Sequence, residues 1–381
     1  MNGEGPVVAL SRRAALKAGV VGVAGVALGK AAVRAGTPGA AGGGRDERAE
    51  GVGVLTDVPG FRVGHATLEE PITGCTVILC PPNTAGGVEV RGGWTGTREM
   101  EILSPMSTSD HVDALLFTGG STYGLAAADG VMRWLEERMP NRRVGLYPVP
   151  QVPGAVVYDL AMGDPTRRPG PEEGYRACEE ATVAFARGSV GAGTGTRVGP
   201  AIPGTERMKG GVGSGSRRFG ASGVVGALAV VNALGNVVDR DGRIVAGAYD
   251  PQGRHADAAD YAEREPVAAG DRTGRSSNTT LVAVATNADL TKTQCAIVAK
   301  MAQAGLARAV HPAFSAFDGD VVVVLASGGQ EASVDAIGIL AAEVVADAIR
   351  DGVRRATSRG GVPDMRTPGV RSPDDPAWST D

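Results

Sequence analysis

Thr279 stands where the polar, glycine-led stretch GRSSN gives way to the apolar run LVAVAT. A threonine hydroxyl is a poor nucleophile unless a base removes its proton, and a threonine that begins a chain carries that base in its own α-amine. The α-amine has an unperturbed pKa near 7.7–8.0, so part of it is neutral at working pH. A cut between Asn278 and Thr279 would therefore put nucleophile and base on one residue. The alternative is a plain strand start, since threonine favours β structure and Ser-Asn favours a turn.

Five other polar residues have types that could serve such a nucleophile: Asn232, Lys209, Tyr158, Asp318 and Asp320. Taken singly, each has an ordinary structural interpretation. The asparagine at a strand end and the Asp-Gly-Asp run are typical of turns. A lysine in a glycine-rich loop is usually solvated, and a tyrosine in a strand usually packs in the core with its hydroxyl at the edge.

Other catalytic and binding patterns have little support. The run GAGTGT at 191–196 resembles a nucleotide loop only weakly, and the chain has no GxxxxGK[ST] motif. No GxSxG elbow is present, and His311 has no activated serine to serve. With four histidines, no HExxH and no CxxC pair, a metal site is not expected. Cys75 and Cys80 bracket a strand-like TVIL and should point to opposite faces as buried small side chains.

The elements that would position these residues alternate between apolar strands and amphipathic helices. Apolar residues make up 43% of the 381, with 58 glycines and few aromatics, which favours a layered α/β or α+β fold. The pattern predicts strands at TVILC, VDALLF, GAVVYDL, VVGALAVVN and LVAVAT, and helices over 125–139, 172–188, 291–308 and 331–355. The stretch 189–224 is so rich in glycine that backbone should pass close to backbone or to a ligand there.

The ends of the chain and one internal stretch fall outside this pattern. Residues 1–44 resemble a twin-arginine export signal and linker, with SRRAALK followed by a short Gly/Ala/Val-rich run. We therefore expect an exported protein without a membrane anchor, or a cytoplasmic one if the signal does not function. The polar stretch 251–278 is expected to be flexible, and 359–381 to be a disordered tail. The net charge of −4 and the scattered basic residues argue against nucleic-acid binding.

The runs NTTLVAVATNADLTK and MAQAGLARAVHPAFSAFDGD resemble the self-processing β-peptidyl aminopeptidases and L-aminopeptidase/D-esterases, a family that also contains the nylon-oligomer hydrolases. The likeness extends through GFRVGHAT, TGGSTYGLAAADGVMRWLEE, VPGAVVYDL, KGGVGS and GALAVVNALG, in the family's order, over about residues 52–328. It implies a four-layer αββα sandwich of the N-terminal-nucleophile-like type. One hydrolase domain would be cut into an α fragment, 51–278, and a β fragment, 279–358, that stay associated as a heterodimer, and such heterodimers would form a homotetramer.

The resemblance also implies roles, carried over motif by motif. Thr279 would be the nucleophile and Asn278–Thr279 the scissile bond. Asn232 would donate to the oxyanion, and Lys209 would favour deprotonation of the nucleophile or stabilise negative charge. Tyr158 would line the site. Asp318 and Asp320 would orient the Thr279 amine and support Lys209. No metal or organic cofactor is implied.

The expected reaction is hydrolysis of small amides through an acyl-Thr279 intermediate. The substrates would be short peptides or 6-aminohexanoate oligomers, and Asn before Thr resembles the nylon-oligomer branch. Three alternatives stay open: an aminopeptidase for β- or D-amino-acid peptides, an uncut relative that acts as a binding protein, and an acyl transferase similar to ornithine acetyltransferase.

Overall fold

Two five-stranded sheets lie face to face, and a pair of helices covers the outer side of each sheet. The computed structural model describes residues 53–138, 143–144, 147–265, 278–367 and 369. The expected export signal at 1–44 lies outside the described residues.

Within the described ranges, the helices are α1 (Ala127–Arg138), α2 (Pro171–Glu179), α3 (Ala258–Arg264), α4 (Lys292–Ala309) and α5 (Val334–Arg355). The strands are β1 (Arg62–Leu68), β2 (Thr73–Leu79), β3 (Ala85–Val90), β4 (Thr97–Arg98), β5 (Ala114–Thr118), β6 (Arg143–Val144), β7 (Tyr147–Pro148), β8 (Gly154–Val156), β9 (Arg197–Val198), β10 (Glu206–Lys209), β11 (Gly211–Phe219), β12 (Gly223–Asn232), β13 (Asn236–Val238), β14 (Ile244–Ala246), β15 (Ala248–Tyr249), β16 (Thr279–Ala288), β17 (Val310–His311) and β18 (Val321–Gln330).

The first sheet has the order β1-β2-β5-β8-β4 and the second β11-β12-β16-β18-β3. In the second sheet, β16 pairs antiparallel with β12 and parallel with β18. Side chains such as Phe117 from the first sheet and Leu281 from the second form one apolar layer between the sheets. Two further apolar clusters lie under α1 and α2 on one side and under α4 and α5 on the other. The αββα sandwich expected from the resemblance is confirmed.

The glycine-rich stretch 189–224 contains the nine-residue strand β11, which the sequence pattern does not predict because glycine is a poor strand former. Its glycines let α5 approach the sheet closely. A Cβ on Gly213 would lie 2.0 Å from the carbonyl oxygen of Ala348 and 2.1 Å from the amide nitrogen of Gly352. Helix and strand therefore touch backbone to backbone, as the glycine content predicts.

Three expected segments differ from the structure. The helix expected over 172–188 ends at Glu179, because Thr182 leaves the helical path to bridge to Val63. The stretch 251–278 is not flexible throughout, since residues 251–265 include α3, whose start is capped by Asp257. Residues 266–277 lie outside the described residues. The disordered tail expected at 359–381 is corrected for 359–367, where Pro363 accepts a 2.8 Å hydrogen bond from the Lys209 amide.

All four cysteines are buried, including Cys75 and Cys80, for which burial is expected. Cys75 packs in the apolar cluster beneath α1 and α2, whereas Cys80 packs between the two sheets, which confirms that they face opposite sides of the first sheet. Among the described residues, none of the helices combines the length and apolar character that a membrane crossing requires.

Candidate active site

Thr279 begins the central strand of the second sheet. Its neighbour across the ladder is Asn232, the last residue of β12, and both side chains are 3% exposed. Thr279 is buried at the start of a central strand because all ten residues of β16 are buried, and their small and β-branched side chains fit between the apolar layers on the two faces of the sheet. The register thus brings together two residues that the sequence separates by more than forty positions.

The carbonyl oxygen of Asn278 receives two hydrogen bonds. The Thr279 hydroxyl donates one at 2.5 Å, and the amide of Gly319 donates the other at 2.9 Å. A side chain on Gly319 would collide here, since its Cβ would lie 2.7 Å from the Thr279 Oγ1. The hydroxyl of Thr279 and an N–H donor therefore converge on the carbonyl group of the peptide bond that precedes Thr279.

We call the surroundings of the Asn278–Thr279 peptide bond the Thr279 corner, and the run Asp318–Gly319–Asp320 lines it. Asp320 accepts from the Thr280 amide at 2.7 Å, and Asp318 accepts from the Ser315 hydroxyl at 2.9 Å. Burial raises the pKa of both carboxyls, and for Asp320 the neighbouring Asp318 charge raises it further. The two carboxyls therefore compete for ionisation, and a proton is retained in the pair to higher pH than an ordinary aspartate would retain it.

The amide side chain of Asn232 is engaged on both sides. Its Oδ1 accepts from the Arg197 amide at 2.9 Å, and its Nδ2 donates to the carbonyl oxygen of Tyr158 at 3.3 Å. The structure thus brings Asn232 to Thr279 as expected but aims its donor at Tyr158 rather than at the Asn278 carbonyl. Tyr158 takes part through its carbonyl, and its side chain is half-buried.

Lys209 is completely buried at the end of β10. Its ammonium donates to the carbonyl oxygens of Thr194 at 2.8 Å and Thr196 at 2.6 Å. Lys209 reaches the Thr279 corner indirectly: it pairs with Arg197 across β9 and β10, and Arg197 binds Asn232. Burial lowers the pKa of Lys209 to about 7.

One expected partnership is not found as predicted. The carboxylate whose charge acts on Lys209 is Asp159, not Asp318 or Asp320. Asp159 is buried beside Tyr158, and burial raises its pKa to about 6. Its position directly after the tyrosine in VVYDL, within an apolar run, is the signal in the sequence that could have identified it.

Two further residues at the corner are not predicted by the sequence pattern. The Arg207 guanidinium lies 3.5 Å from the side-chain oxygen of Asn278, and burial lowers its pKa to about 10. Trp94, 47% exposed, donates from its amide to the Asp318 carbonyl at 2.8 Å and lies near the ring of Phe317. Arg207 two positions before Lys209 is a recognisable signal, since a strand places both on one face. Trp94 has no such signal.

Over the ranges that the structure describes, no group of three or more His, Cys, Asp or Glu side chains is arranged to hold a metal ion. The groups at this corner are a hydroxyl, the carbonyl group that precedes it, an N–H donor and two neighbouring buried carboxyls, and a buried lysine is linked to them through Arg197.

Known proteins share both the sequence and the fold. The chain is 40% identical over 349 residues to an uncharacterised aminopeptidase of Mycobacterium leprae, covering 81% of this chain and 92% of that protein. It is 30% identical over 318 residues to a 6-aminohexanoate-oligomer endohydrolase of a Kocuria species, covering 78% and 85%.

Two solved structures superpose on it. The β-aminopeptidase of a Burkholderia species has a TM-score of 0.63 at 24% identity, covering 83% of this chain and 92% of that one. The L-aminopeptidase D-Ala-esterase/amidase of Ochrobactrum anthropi, described as a variant of the Ntn hydrolase fold, has a TM-score of 0.62 at 21% identity, covering 82% and 90%. The profile of peptidase family S58 matches residues 53–366. The chain therefore belongs to peptidase family S58, a family of hydrolases that act on amide bonds.

Proposed function

We propose that the chain cuts itself between Asn278 and Thr279, and that the freed Thr279 then hydrolyses the amide bonds of short linear substrates. The observation that carries the proposal is the pair of hydrogen bonds on the Asn278 carbonyl oxygen, from the Thr279 hydroxyl at 2.5 Å and the Gly319 amide at 2.9 Å. An ordinary strand start does not require its hydroxyl and a glycine amide to meet on the preceding carbonyl group.

The self-cleavage is an acyl shift from nitrogen to oxygen. The Thr279 Oγ1 attacks the Asn278 carbonyl carbon, and the negative charge that forms on the oxygen is stabilised by the Gly319 amide. The hydroxyl proton passes to the Thr279 nitrogen as the C–N bond breaks, leaving an ester between Asn278 and Thr279. Water then hydrolyses the ester, which yields a carboxylate on Asn278 and restores the Thr279 hydroxyl beside the α-amine that the shift has freed.

The same atoms serve substrate hydrolysis. The new α-amine of Thr279 takes the proton of its own hydroxyl, as in other N-terminal threonine nucleophiles. Once Asn278 withdraws, a substrate carbonyl takes its place against the Gly319 amide. Asn232 adds a second donor, because its 3.3 Å hydrogen bond to the Tyr158 carbonyl is long enough to be given up for a developing oxyanion. The raised pKa values of Asp318 and Asp320 keep one proton near the new amine.

Two substrate classes follow from the relatives. Aminopeptidase activity is supported by the 40% identity to the mycobacterial protein, and oligomer hydrolysis by the 30% identity to the 6-aminohexanoate-oligomer endohydrolase. A linear, unbranched amide fits both classes. Hydrolysis of 6-aminohexanoate trimer compared with β-alanyl, L-alanyl and D-alanyl amides ranks them by kcat/KM.

The assembly and export of the enzyme belong to the same proposal. In the second sheet the two strands of the smaller fragment lie between strands of the larger one, so the fragments would remain a heterodimer. We propose a tetramer of such heterodimers, exported through the leader at 1–44. Native mass spectrometry measures how many fragments the assembly contains. Export is measured by cell fractionation of the full chain beside Arg12→Lys/Arg13→Lys, and a distribution between fractions that the substitutions leave unchanged would contradict it.

The decisive experiment is intact mass and N-terminal sequencing of the purified full chain beside Thr279→Ala. The wild type should give two fragments, the smaller beginning TTLVAVAT, and Thr279→Ala should stay in one piece. Thr286→Val, in the same strand and equally buried, is the matched control and should be cut normally. A single intact chain in every sample would contradict self-cleavage and favour the uncut binding protein.

A further inference from the structure

Asp159, a buried carboxylate outside the Asp318 and Asp320 pair, occupies space that two glycines leave free. Asp159 accepts hydrogen bonds from the Thr73 hydroxyl at 2.7 Å and from the Gly120 amide at 2.7 Å. A Cβ on Gly119 would lie 2.2 Å from the Asp159 Oδ2, and one on Gly195 would lie 2.8 Å from the same oxygen. The surroundings are therefore shaped for this carboxylate and have no room for larger neighbours.

Gly195 joins this carboxylate to Lys209. It is the middle residue of Thr194–Gly195–Thr196, and the two carbonyls that flank it accept the Lys209 ammonium at 2.8 and 2.6 Å. The threonine hydroxyls lock the same turn, since each donates to a carbonyl three residues earlier at 2.6 and 2.8 Å. Asp159 thus packs against the backbone whose carbonyl groups hold the ammonium.

Three charged groups act on Lys209. Asp159 raises its pKa, whereas Arg359 and Arg197 lower it, and burial sets the net value at about 7. Asp159 itself titrates near 6 because burial raises its pKa. At neutral pH the carboxylate is therefore the one negative charge, among the described groups acting on Lys209, that opposes two arginines and the loss of water.

We propose that Asp159 is a positioning residue for the S58 reaction: it fixes the Thr194–Gly195–Thr196 turn that holds Lys209 and supplies a negative charge that favours the protonated form of Lys209. The proposal rests on the function proposed above in giving Lys209 a part in the chemistry. It gives the GAGTGT run a role, because Gly195 leaves room for the carboxylate and the carbonyl groups of Thr194 and Thr196 hold the lysine.

A double-mutant cycle tests the charge coupling without any need for catalysis. Asp159→Asn, Lys209→Met and the double variant are made in the Thr279→Ala chain, and their folding equilibrium constants are measured by urea unfolding from pH 5 to 9. Because buried Lys209 loses its proton near pH 7, the coupling appears as a shift along the pH axis: the Lys209-dependent rise of the folding constant should begin about one pH unit lower in the Asp159→Asn chain than in its parent. The same onset in both chains would overturn the proposal. Because the chain is uncut, this result is independent of whether the wild type cleaves itself.

The pH profile of the processed enzyme tests the positioning of Lys209 during the reaction, with 6-aminohexanoyl and β-alanyl p-nitroanilides as probes. Asp159→Asn keeps an acceptor for the Gly120 amide but removes the charge. The limb of the plot of kcat/KM against pH that reports the ionisation of Lys209 should therefore move about one pH unit lower. Asp113→Asn is the matched control: Asp113 is as buried and accepts a 2.8 Å bond from the Gln151 amide. An equal loss of rate at every pH, or a shift that Asp113→Asn reproduces, would overturn the proposal.

A second variant covers the case in which Asp159→Asn does not fold. Thr73→Val removes the hydroxyl that donates to Asp159 and so raises the pKa of the carboxyl, which weakens its charge near neutral pH. The same limb should move in the same direction by a smaller amount. An unmoved limb in a folded Thr73→Val protein would contradict the proposal.

Discussion

The amide of Gly319 lies 2.9 Å from the carbonyl oxygen of Asn278 and donates a hydrogen bond to it. This contact ties the Asp-Gly-Asp run to the peptide bond before Thr279, although the two segments are forty residues apart in the chain. The bridge between Asn278 and Asp318 continues the second sheet by one step beyond β16, which fixes the geometry of the contact.

Gly319→Ala should block self-cleavage. The added methyl would lie 2.7 Å from the Thr279 Oγ1 and 2.8 Å from the Trp94 carbonyl oxygen, so the turn must move and its amide must leave the Asn278 oxygen. Loss of one such donor slows acyl transfer by about 10²–10³-fold. A time course of intact chain against fragments measures it, with Gly154→Ala as control because its methyl would meet nothing nearer than 3.4 Å. Cleavage at the wild-type rate would remove Gly319 from the mechanism.

Asp320→Asn should stabilise the folded chain relative to the parent chain, and by more at higher pH. Burial and the Asp318 charge raise the pKa of Asp320, so in the wild type the stability that its protonated form contributes is fully present below about pH 4 and lost as pH increases. The variant has no such loss. Urea midpoints in the Thr279→Ala background between pH 4.5 and 8 should therefore rise relative to the parent chain. The exposed Asp241→Asn serves as control, and a constant difference across this range would refute the assignment.

Lys209→Met should remove a gain in stability at alkaline pH. Burial lowers the pKa of Lys209 to about 7, against about 10.4 in an unfolded chain, so the unfolded chain binds the extra proton between these values. The parent chain should gain stability there, at up to about 1.4 kcal/mol per pH unit, and the variant should not. Unfolding in urea from pH 7 to 10 in the Thr279→Ala background measures both slopes. Parallel slopes would mean that Lys209 titrates normally.

Gly213→Ala should destabilise the fold without touching the candidate active site. Its methyl would lie 2.0 Å from the Ala348 carbonyl oxygen and 2.1 Å from the Gly352 amide nitrogen in α5, so helix and strand would have to move apart. Overpacking of this kind typically costs about 1–3 kcal/mol, and a backbone collision should reach the upper end or beyond. Thermal unfolding compares it with Gly170→Ala, where the nearest atom would be 3.6 Å away. Equal melting temperatures would show that the helix can shift freely.

The fold follows from the sequence wherever apolar residues run unbroken. All ten residues of β16 and all ten of β12 are buried, and both strands stand out as continuous small-residue runs. Strand β11 does not stand out, because its glycines acquire their meaning only from α5, more than 130 residues later. The apolar spacing predicts a helix that continues past Glu179, but the pairing of Thr182 with Val63 of β1 ends the helix there.

The sequence predicts the parts of the candidate active site that depend on side-chain type, but not those that depend on backbone groups or on distant segments. Thr279 and Asn232 are recognisable from the sequence and become neighbours in the structure. The Gly319 donor is a backbone amide, which no residue type reveals. The place of Asp159 in an apolar run marks it as unusual, but its role does not follow from the sequence, because Thr73 and Gly195 come from distant segments and only the folded chain brings them around one carboxylate.

The order of the second sheet has a kinetic consequence for a chain cut after Asn278. Strands β16 and β18 would belong to the new fragment, yet they lie between β12 and β3 of the other one. Dissociation would require both ladders to open at once, so dilution alone should not separate the pieces. Refolding after denaturation would instead need two molecules to meet, and recovery should fall with dilution. Before cleavage, one chain can fold by itself. After cleavage, the native state would persist because the two fragments dissociate slowly.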